Sequence, residues 1–314
     1  MKKSPDYSSV FASDFREYLE CIRASGKIYR REEYILKSFD RFIADKGEVR
    51  ITEEMVNEFI YTKTDVPPAQ YSLRHRTVRG FSEYLRFQGK GDYIRPLLKS
   101  ISPERCIPHI YTQDEISLLL SEAKRLNPTN SLRPQTYYTL MGLLVSTGLR
   151  ISEAINLEPQ DVNLNTGILH IKNTKFYKSR LVPVHPTTLE ALKSYNALKD
   201  KHFPKNKQAF FLNNLGLPLN YVTVSDTFLQ IVRKTGIRNP QGKGPRIHDF
   251  RHTFAVSRIL AWYEEGVDVN LMLAQLATYM GHKKFAHTIY YLEAGTKILE
   301  KVSESFVLGG EPSE

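Results

Sequence analysis

The chain has 314 residues, an ordinary hydrophobic content of 41% and a formal net charge of +10, with a pI near 9.4. This length is sufficient for two domains, and the basic excess favours a polyanionic partner such as nucleic acid. The two cysteines lack metal-site spacing, and the sequence has neither a secretory leader nor an apolar run of membrane-spanning length. These features argue against a secreted or membrane protein, and we expect a cytoplasmic one.

The first 100 residues predict a helical domain. Apolar side chains recur at helical spacing from Phe15 to Ile22 and again from Tyr34 to Ile43. Thr52, which precedes two glutamates, is a candidate N-cap for a further helix. We therefore assign residues 1–100 to one domain made of helices.

The segment from Tyr71 to Phe87 predicts a basic helix with an apolar side. From residue 71 to residue 99, seven lysines and arginines accompany two acidic residues. We expect the arginines of this helix, and His75, to face outward or to lie at its edge, where basic groups can contact DNA phosphates. A solvated helix face is the alternative interpretation. The candidate DNA contacts are Arg74, Arg76 and Arg79.

The second domain is predicted to cover residues 112–314. Prolines punctuate residues 101–111 before it, and we expect that segment to be an extended linker. The sequence Thr112-Gln113-Asp114-Glu115 has the pattern of a helix capping box. The apolar residues from 137 to 145 then predict a buried helix.

The motif Thr147-Gly148-Leu149-Arg150-Ile151-Ser152-Glu153 predicts a joint between two helices. Gly148 is expected to end the first helix and Ser152 to cap the second. Arg150 would then be held rigidly in the joint.

Residues 167–171 and 180–184 alternate as β-strands, and the polar segment between them predicts a hairpin loop. Its lysines give the loop a positive tip that can enter a DNA groove, although surface lysines are common on any loop. They are Lys172, Lys175 and Lys178. Further along, Phe210-Phe211-Leu212 predicts a short buried strand, and helices are predicted from 189 to 195 and from 224 to 234.

A patch of basic side chains opens the stretch from 248 to 291. His248, Arg251 and His252 have the i, i+3, i+4 spacing that places them on one face of a helix. Apolar residues continue this helix, so the patch is expected to be anchored in a core. Ordinary surface or core histidines would give the same pattern.

Two chemistries fit this patch. Histidines four positions apart, with Asp249 after the first, match the helical pattern of a zinc hydrolase, for which His282 or His287 could serve as a third ligand. In the second interpretation, Arg251 binds an oxyanion to which histidines also donate, because a guanidinium matches phosphate geometry and keeps its charge.

Four motifs in this order resemble the tyrosine recombinase (integrase) family. They are residues 147–153, the lysine hairpin that ends in Arg180-Leu181-Val182-Pro183, residues 248–255, and Gly281-His282 followed nine positions later by Tyr291. The resemblance covers residues 112–295, and the basic helical segment before them is similar to the family's core-binding domain. It implies a mainly α fold with a small antiparallel sheet, in which a helical core-binding domain precedes an α+β catalytic domain.

The resemblance also implies a role for each matched side chain. Arg150 and Arg251 match the family's two phosphate-binding arginines, which stabilise the charge of the transition state. His252 and Glu153 lie in the same motifs and are expected to have supporting roles. The matched catalytic positions are Arg150, Lys175, His248, Arg251, His282 and Tyr291.

Proton transfer and nucleophilic attack are assigned by the same resemblance. Lys175 matches the general acid for the leaving 5′ oxygen, and His248 matches the residue that supports proton transfer from the nucleophile. His282 matches the hydrogen-bond donor to the scissile phosphate, and Tyr291 matches the nucleophile, which forms a 3′-phosphotyrosyl bond. Adjacent residues point about 100° apart on a helix, so only one of Tyr290 and Tyr291 can face the phosphate. The nine-residue step from His282 favours Tyr291, and Tyr290 is then expected to be a packing aromatic.

We therefore expect an enzyme that breaks and rejoins DNA strands without a metal or nucleotide cofactor. Its expected partner is double-stranded DNA at a specific recombination site, bound by a homo-tetramer on two duplexes or by a hetero-assembly with related recombinases. A simple two-domain recombinase of this kind would serve integration, excision or transposition of a mobile element, or dimer resolution. The alternatives are a DNA-relaxing enzyme of the topoisomerase type and a DNA-binding protein with an inactive site.

Overall fold

A computed structural model describes residues 7–27, 29–62, 66–95, 108–172, 179–204, 208–238, 244–281, 288–289 and 291. The chain divides into two compact units, Met1–Cys106 and Ile107–Glu314. The division falls within residues 101–111, the predicted linker. Within the described residues, none of the helices has both the length and the apolar character needed to cross a membrane.

The described part of the first unit is made of helices around an aromatic core. Phe15 stacks on Phe81 with ring centroids 3.9 Å apart, and Tyr7 stacks on Phe15 at 4.9 Å. The predicted cap at Thr52 is confirmed, since its Oγ1 accepts a hydrogen bond from the Met55 amide at 3.3 Å. The helices are α1 (Ala12–Ala24), α2 (Arg30–Lys46), α3 (Glu53–Tyr61) and α4 (Pro68–Phe87).

The prediction that the arginines of α4 and His75 face outward is wrong for Arg74 and for His75, which are both buried. The Arg74 guanidinium lies 4.0 Å from the centroid of the Phe59 ring and donates to the Phe59 carbonyl and to Thr62 Oγ1. It therefore fastens α4 to the end of α3. Arg76 is exposed and Arg79 is partly exposed.

The second unit packs helices around a small antiparallel sheet with the strand order β1-β2-β3. Leu169 of the middle strand pairs with residue 162 on one side and residue 182 on the other. The strands are β1 (Val162–Asn163), β2 (Ile168–Ile171) and β3 (Arg180–Pro183). The helices are α5 (Gln113–Lys124), α6 (Arg133–Thr147), α7 (Ile151–Ile155), α8 (Pro186–His202), α9 (Tyr221–Thr235), α10 (Asp249–Glu264) and α11 (Val269–Met280).

Local sequence signals set several element ends in this unit. The capping box at Thr112 and Glu115 is confirmed by reciprocal hydrogen bonds of 3.2 and 2.9 Å. Gly148 ends α6 in the left-handed conformation, with a φ of 60°. A Cβ at Gly148 would lie 2.5 Å from the Phe254 ring, so glycine also permits close packing of α6 against α10.

Two local predictions for this unit are wrong. Arg150, not Ser152, occupies the N-cap position of α7, and its amide donates to Glu153 Oε2 at 3.1 Å. The segment 210–212 is buried, but it pairs as a single bridge between Leu212 and Pro218 and forms no strand. Tyr195 explains this conformation, because its hydroxyl accepts the Leu212 amide at 2.9 Å in place of a neighbouring strand.

The helix α6 is central to the second unit, where it packs against α5, α8 and α10. A separate apolar cluster joins α10 to α11 and includes Trp262, Leu273 and Tyr291. The functional side chains lie after the end of α6, at the start of α10 and on β3, and the end of α11 contributes backbone carbonyls to them.

Candidate active site

Arginines from three different segments meet at the C-terminal end of α11. The carbonyls of a helix's last turn have no partner within the helix, and they form the negative end of its dipole. The Tyr279 carbonyl accepts from Arg180 Nε at 2.7 Å, and the Met280 carbonyl accepts from Arg251 Nη2 at 2.6 Å. The Gly281 carbonyl accepts from Arg150 Nη2 at 3.1 Å. Consecutive carbonyls thus bring three positive charges together at this helix end, and we call the cluster of Arg150, Arg180 and Arg251 the arginine corner.

Arg251 is the most buried of these arginines, with 2% of its surface exposed. Its Nη1 donates to the Gly148 carbonyl at 2.7 Å, so its guanidinium bridges the ends of α6 and α11. Burial, and then the neighbouring charge of Arg150, lower the pKa of Arg251 to about 10. Arg251 therefore keeps its charge near neutral pH.

Arg150 reaches the same helix end from the joint between α6 and α7. Its side chain is 34% exposed, whereas Arg251 is almost fully enclosed. A partly exposed arginine thus lies near a buried one, and both guanidiniums are fixed by carbonyls of neighbouring residues. This arrangement suits an anion that approaches from solvent, because its oxygens meet fixed cations.

Glu153 joins Arg150 to Arg180. Its Oε1 accepts from Arg150 Nη1 at 2.8 Å and from Arg180 Nη1 at 3.1 Å, and its Oε2 accepts from Arg180 Nη2 at 2.8 Å. Burial raises the pKa of Glu153, but the hydrogen bond and charge of Arg180, aided by Arg150, outweigh burial and hold the pKa below its usual value. Glu153 is therefore ionised near neutral pH.

Arg180 belongs to the hairpin motif of the sequence, but the resemblance assigns it no role in the site. Its contact with Tyr279 spans 99 residues, and no local pattern encodes such a separation. One usable signal was present. Glu153 lies three residues after Arg150 and directly follows a helix predicted to be buried, and a buried carboxylate needs cationic partners.

The histidines of the patch lie at the start of α10. His248 is the N-cap residue, and its ring centroid is 5.2 Å from that of His252, with the ring planes nearly perpendicular. Burial, together with the charge of Arg251, lowers the pKa of His248. Burial, together with His248, lowers the pKa of His252 to about 4. Both imidazoles are therefore neutral near pH 7, where a neutral imidazole can accept a proton.

Tyr291 packs beside this pair in the cluster of α10 and α11. It is 4% exposed, and its ring centroid is 5.3 Å from that of His252. A negative charge on Tyr291 would raise the pKa of Arg251, so the phenol lies within electrostatic range of the arginine corner. The candidates Lys175, Lys178 and His282, and also Tyr290, lie outside the described residues.

The zinc interpretation is not supported by the geometry of the patch. Asp249, which would serve as its catalytic carboxylate, is 1% exposed and accepts from Arg246 Nη2 at 2.7 Å. An enclosed, ion-paired carboxylate is a poor general base. Nowhere in the described part of the chain do three histidine, cysteine or acidic side chains form a cluster suited to a metal. His282 and His287 lie outside that part.

Lys172 lies at the start of the predicted hairpin loop. Its ammonium is 2.5 Å from Asp161 Oδ1 and 3.6 Å from Glu158 Oε2, and the hydrogen bond to Asp161 raises its pKa. The side chain thus holds the end of β2 to the turn before β1. Its candidate role as a DNA contact stays a prediction.

Comparisons with known proteins show the family of this chain. Residues 110–297 match the model of the phage integrase family. The integrase/recombinase y4rE of Sinorhizobium fredii is 33% identical over 97% of this chain and 98% of its own length. The tyrosine recombinase XerD of Staphylococcus epidermidis is 27% identical over 88% of this chain and 90% of its own.

Solved structures show the same fold. A XerH site-specific recombinase bound to palindromic difH substrate, in a post-cleavage complex, gives a TM-score of 0.66 at 21% identity, over 93% of this chain and 84% of that one. The Tn1549 transposon integrase with transposon right end DNA gives 0.62 at 16% identity, over 92% and 99%. With its arginine corner, its family match and its near full-length relative, this chain belongs to the phage integrase family and is a DNA-acting tyrosine recombinase.

Proposed function

We propose that the enzyme cuts and rejoins duplex DNA at a specific site through a 3′-phosphotyrosyl bond formed by Tyr291. One observation carries the proposal. Arg150 and Arg251 donate to the carbonyls of adjacent residues, Gly281 and Met280, so two guanidiniums are fixed near each other, and the Arg150 side chain is partly exposed to solvent.

In the proposed reaction, Tyr291 Oη attacks the scissile phosphorus and the bond from phosphorus to the 5′ oxygen breaks. The phenol proton passes to neutral His248, and Lys175 protonates the departing 5′ oxygen. Arg150 and Arg251, with His282, stabilise the additional negative charge on the non-bridging oxygens. Attack by a 5′ hydroxyl on the phosphotyrosyl bond reverses these steps and rejoins the strand.

The electrostatics of the described residues support these roles. A free tyrosine phenol has a pKa of about 10, so attack near neutral pH needs both a base and nearby positive charge. The lowered pKa of His248 keeps its imidazole neutral near pH 7, so a ring nitrogen can accept a proton. Arg251, with a pKa of about 10, retains the positive charge.

DNA contacts outside the catalytic site are proposed for both units. Arg76 and Arg79 of α4 remain candidates for phosphate contacts, together with Lys172 and Lys178 of the hairpin. Arg74 is not a phosphate contact, because its guanidinium is enclosed between α3 and α4. The role of residues 1–100 as a core-binding domain rests on the resemblance and on the exposed basic side of α4.

The assembly and biological role are also proposals. We propose a homo-tetramer on two duplexes, since strand exchange between two sites needs a cleaving subunit for each strand; a hetero-assembly with a related recombinase is the variant. The relative y4rE is named an integrase/recombinase, which favours mobile-element integration, excision or transposition over dimer resolution. A cytoplasmic location is proposed because the substrate is DNA.

A covalent-adduct assay tests the proposed chemistry. Duplexes that bind the protein are selected from a random pool, and a nick is placed near the cleavage position so that the short cleaved fragment diffuses away. The wild-type chain is expected to form a covalent protein–DNA adduct, also in EDTA. Tyr291→Phe is expected to abolish the adduct, and its matched control Tyr290→Phe to retain it. The reverse pattern would show that Tyr290 is the nucleophile.

A further inference from the structure

We infer that Arg180 is a positioning residue that keeps Arg150 available to the scissile phosphate by neutralising Glu153. The inference rests on the proposed function, in which Arg150 contacts that phosphate. Arg180 itself is poorly placed to do so, since its side chain is 12% exposed. Its Nε, Nη1 and Nη2 all donate to protein oxygens, those of Tyr279 and Glu153.

The argument begins with the charge of Glu153. Its side chain is 7% exposed and it is ionised, so it requires close cationic partners. Arg180 supplies a two-nitrogen contact, with Nη1 to Oε1 at 3.1 Å and Nη2 to Oε2 at 2.8 Å. Arg150 supplies one guanidinium nitrogen, Nη1 to Oε1 at 2.8 Å.

Removing Arg180 would change the net charge around Arg150. Arg150, Arg180 and Glu153 together carry one net positive charge, whereas Arg150 and Glu153 alone are neutral. The buried carboxylate would then draw the Arg150 guanidinium into a two-nitrogen ion pair, which is the preferred geometry of such pairs. Arg150 would offer both less charge and fewer N–H groups to a phosphate.

The same two arginines lie against Gly281 at the end of α11. A Cβ at Gly281 would lie 3.0 Å from Arg180 Nη1 and 3.7 Å from Arg150 Nη1. Both guanidiniums therefore rest against this backbone, and the Gly281 carbonyl accepts from Arg150. Arg180 thus acts on Arg150 through the shared carboxylate of Glu153, and the two guanidiniums lie at the same helix end.

The test compares single-turnover cleavage of two nicked duplexes of the same sequence. One has an ordinary scissile phosphate, and in the other a methyl group replaces a non-bridging oxygen, which removes the negative charge. On ordinary DNA, Arg180→Ala is expected to slow cleavage roughly 10- to 100-fold, less than the roughly 10²- to 10³-fold expected for loss of a direct donor. On the uncharged DNA, the defect is expected to shrink to a few fold, because charge stabilisation is no longer needed.

A double variant separates positioning from folding. If Arg150 is captured by Glu153 in Arg180→Ala, then adding Glu153→Gln releases it, and the double variant is expected to cleave faster than Arg180→Ala alone. Arg180→Lys, which keeps the charge, is expected to cleave at an intermediate rate. Arg133→Ala is the control, because Arg133 also ties separate segments together, through Asn127 and Thr227, away from the site. Any defect it causes is expected to be equal on both DNAs.

Three outcomes overturn the inference. The first is a wild-type rate for Arg180→Ala on ordinary DNA, and the second is an equal defect of this variant on both DNAs. The third is rescue of this variant by a sulfur leaving group at the 5′ position, which would mean that Arg180 assists the proton donor. An insoluble Arg180→Ala leaves Arg180→Lys to decide by the same comparison. Failure of the wild-type chain to form any adduct would instead count against the proposed function.

Discussion

Arg150 and Arg251 donate hydrogen bonds to neighbouring carbonyls, those of Gly281 and Met280, at the end of a single helix. The two arginines are 101 positions apart in the chain by their residue numbers, 150 and 251, and their relative position depends on α11. Changes at this helix end should therefore affect catalysis more than comparable changes elsewhere.

Replacing Arg251 by lysine should impair both catalysis and folding. Lysine cannot donate to both the Gly148 and Met280 carbonyls in the fork geometry of a guanidinium. Cleavage should fall roughly 10²- to 10³-fold in a single-turnover assay. The free energy of unfolding should fall by roughly 1–3 kcal/mol, because a buried acceptor loses its donor.

The control for this prediction is Arg258→Lys on the same helix. Arg258 is exposed and its guanidinium lies 5.4 Å from the centroid of the Trp262 ring. Cleavage should proceed at the wild-type rate, with a stability change within about 0.5 kcal/mol. Equal losses in the two variants would contradict a special role for Arg251.

Gly281→Ala should disturb the arginine corner. Gly281 has a φ of 65°, and its added Cβ would lie 3.0 Å from Arg180 Nη1. Gly236→Ala is a matched control, since Gly236 has a φ of 72° and nothing within 4 Å of its added Cβ. Both variants should lose roughly 1–2 kcal/mol of stability from backbone strain. In the cleavage assay Gly281→Ala should be slow and Gly236→Ala near wild type; matching rates would show that the contact is unimportant.

Stability should decrease as pH falls below the ordinary range of histidine, partly through His252. Burial lowers the pKa of His252 from 6.5 to about 4, so between these values the unfolded chain binds a proton that the folded chain does not. This contribution is fully present above pH 6.5 and is lost toward pH 4; it amounts to at most about 3 kcal/mol. Urea unfolding at pH 7.5 and 5 should show a smaller difference for His252→Gln than for the wild-type chain. An unchanged difference would rule out His252 as a contributor.

Substitution of Arg74 should affect stability, whereas substitution of Arg76 should affect DNA binding. Arg74→Gln should lower the thermal midpoint of the first unit, because it removes the hydrogen bond to Thr62 and the contact with the Phe59 ring. Exposed Arg76→Gln should leave that midpoint unchanged, weaken binding to the selected duplex and reduce the salt slope of binding by about 1. If Arg76→Gln binds DNA as tightly as the wild-type chain, the proposed phosphate contact is excluded.

Much of the helical fold could be predicted because its signals are local. The capping box at Thr112 and the helix end at Gly148 each depend on a few neighbouring residues, and both are confirmed. The strand β1 (Val162–Asn163) was missed because two residues carry no alternation pattern. Residue type alone favours Ser152 as a cap, but the helix begins two residues earlier, and Glu153 accepts the amide of the N-cap residue Arg150.

The site was only partly predictable for a different reason. The motifs named Arg150, Arg251 and Tyr291 as candidates, but the carbonyls that orient the arginines belong to backbone, which has no signature in the side-chain sequence. The same applies to Arg74, whose outward direction was inferred from charge. A pocket formed by the Phe59 ring and the Thr62 hydroxyl becomes apparent only when α3 and α4 pack together.

The last turn of α11 also determines how the site can be lost. A helix's carboxyl end by itself repels anions, yet here each of its final carbonyls supports a cation. Unwinding that single turn would remove one hydrogen bond from each of Arg150, Arg180 and Arg251 at the same time. Local melting of α11 would thus disturb all three arginines of the site in one step.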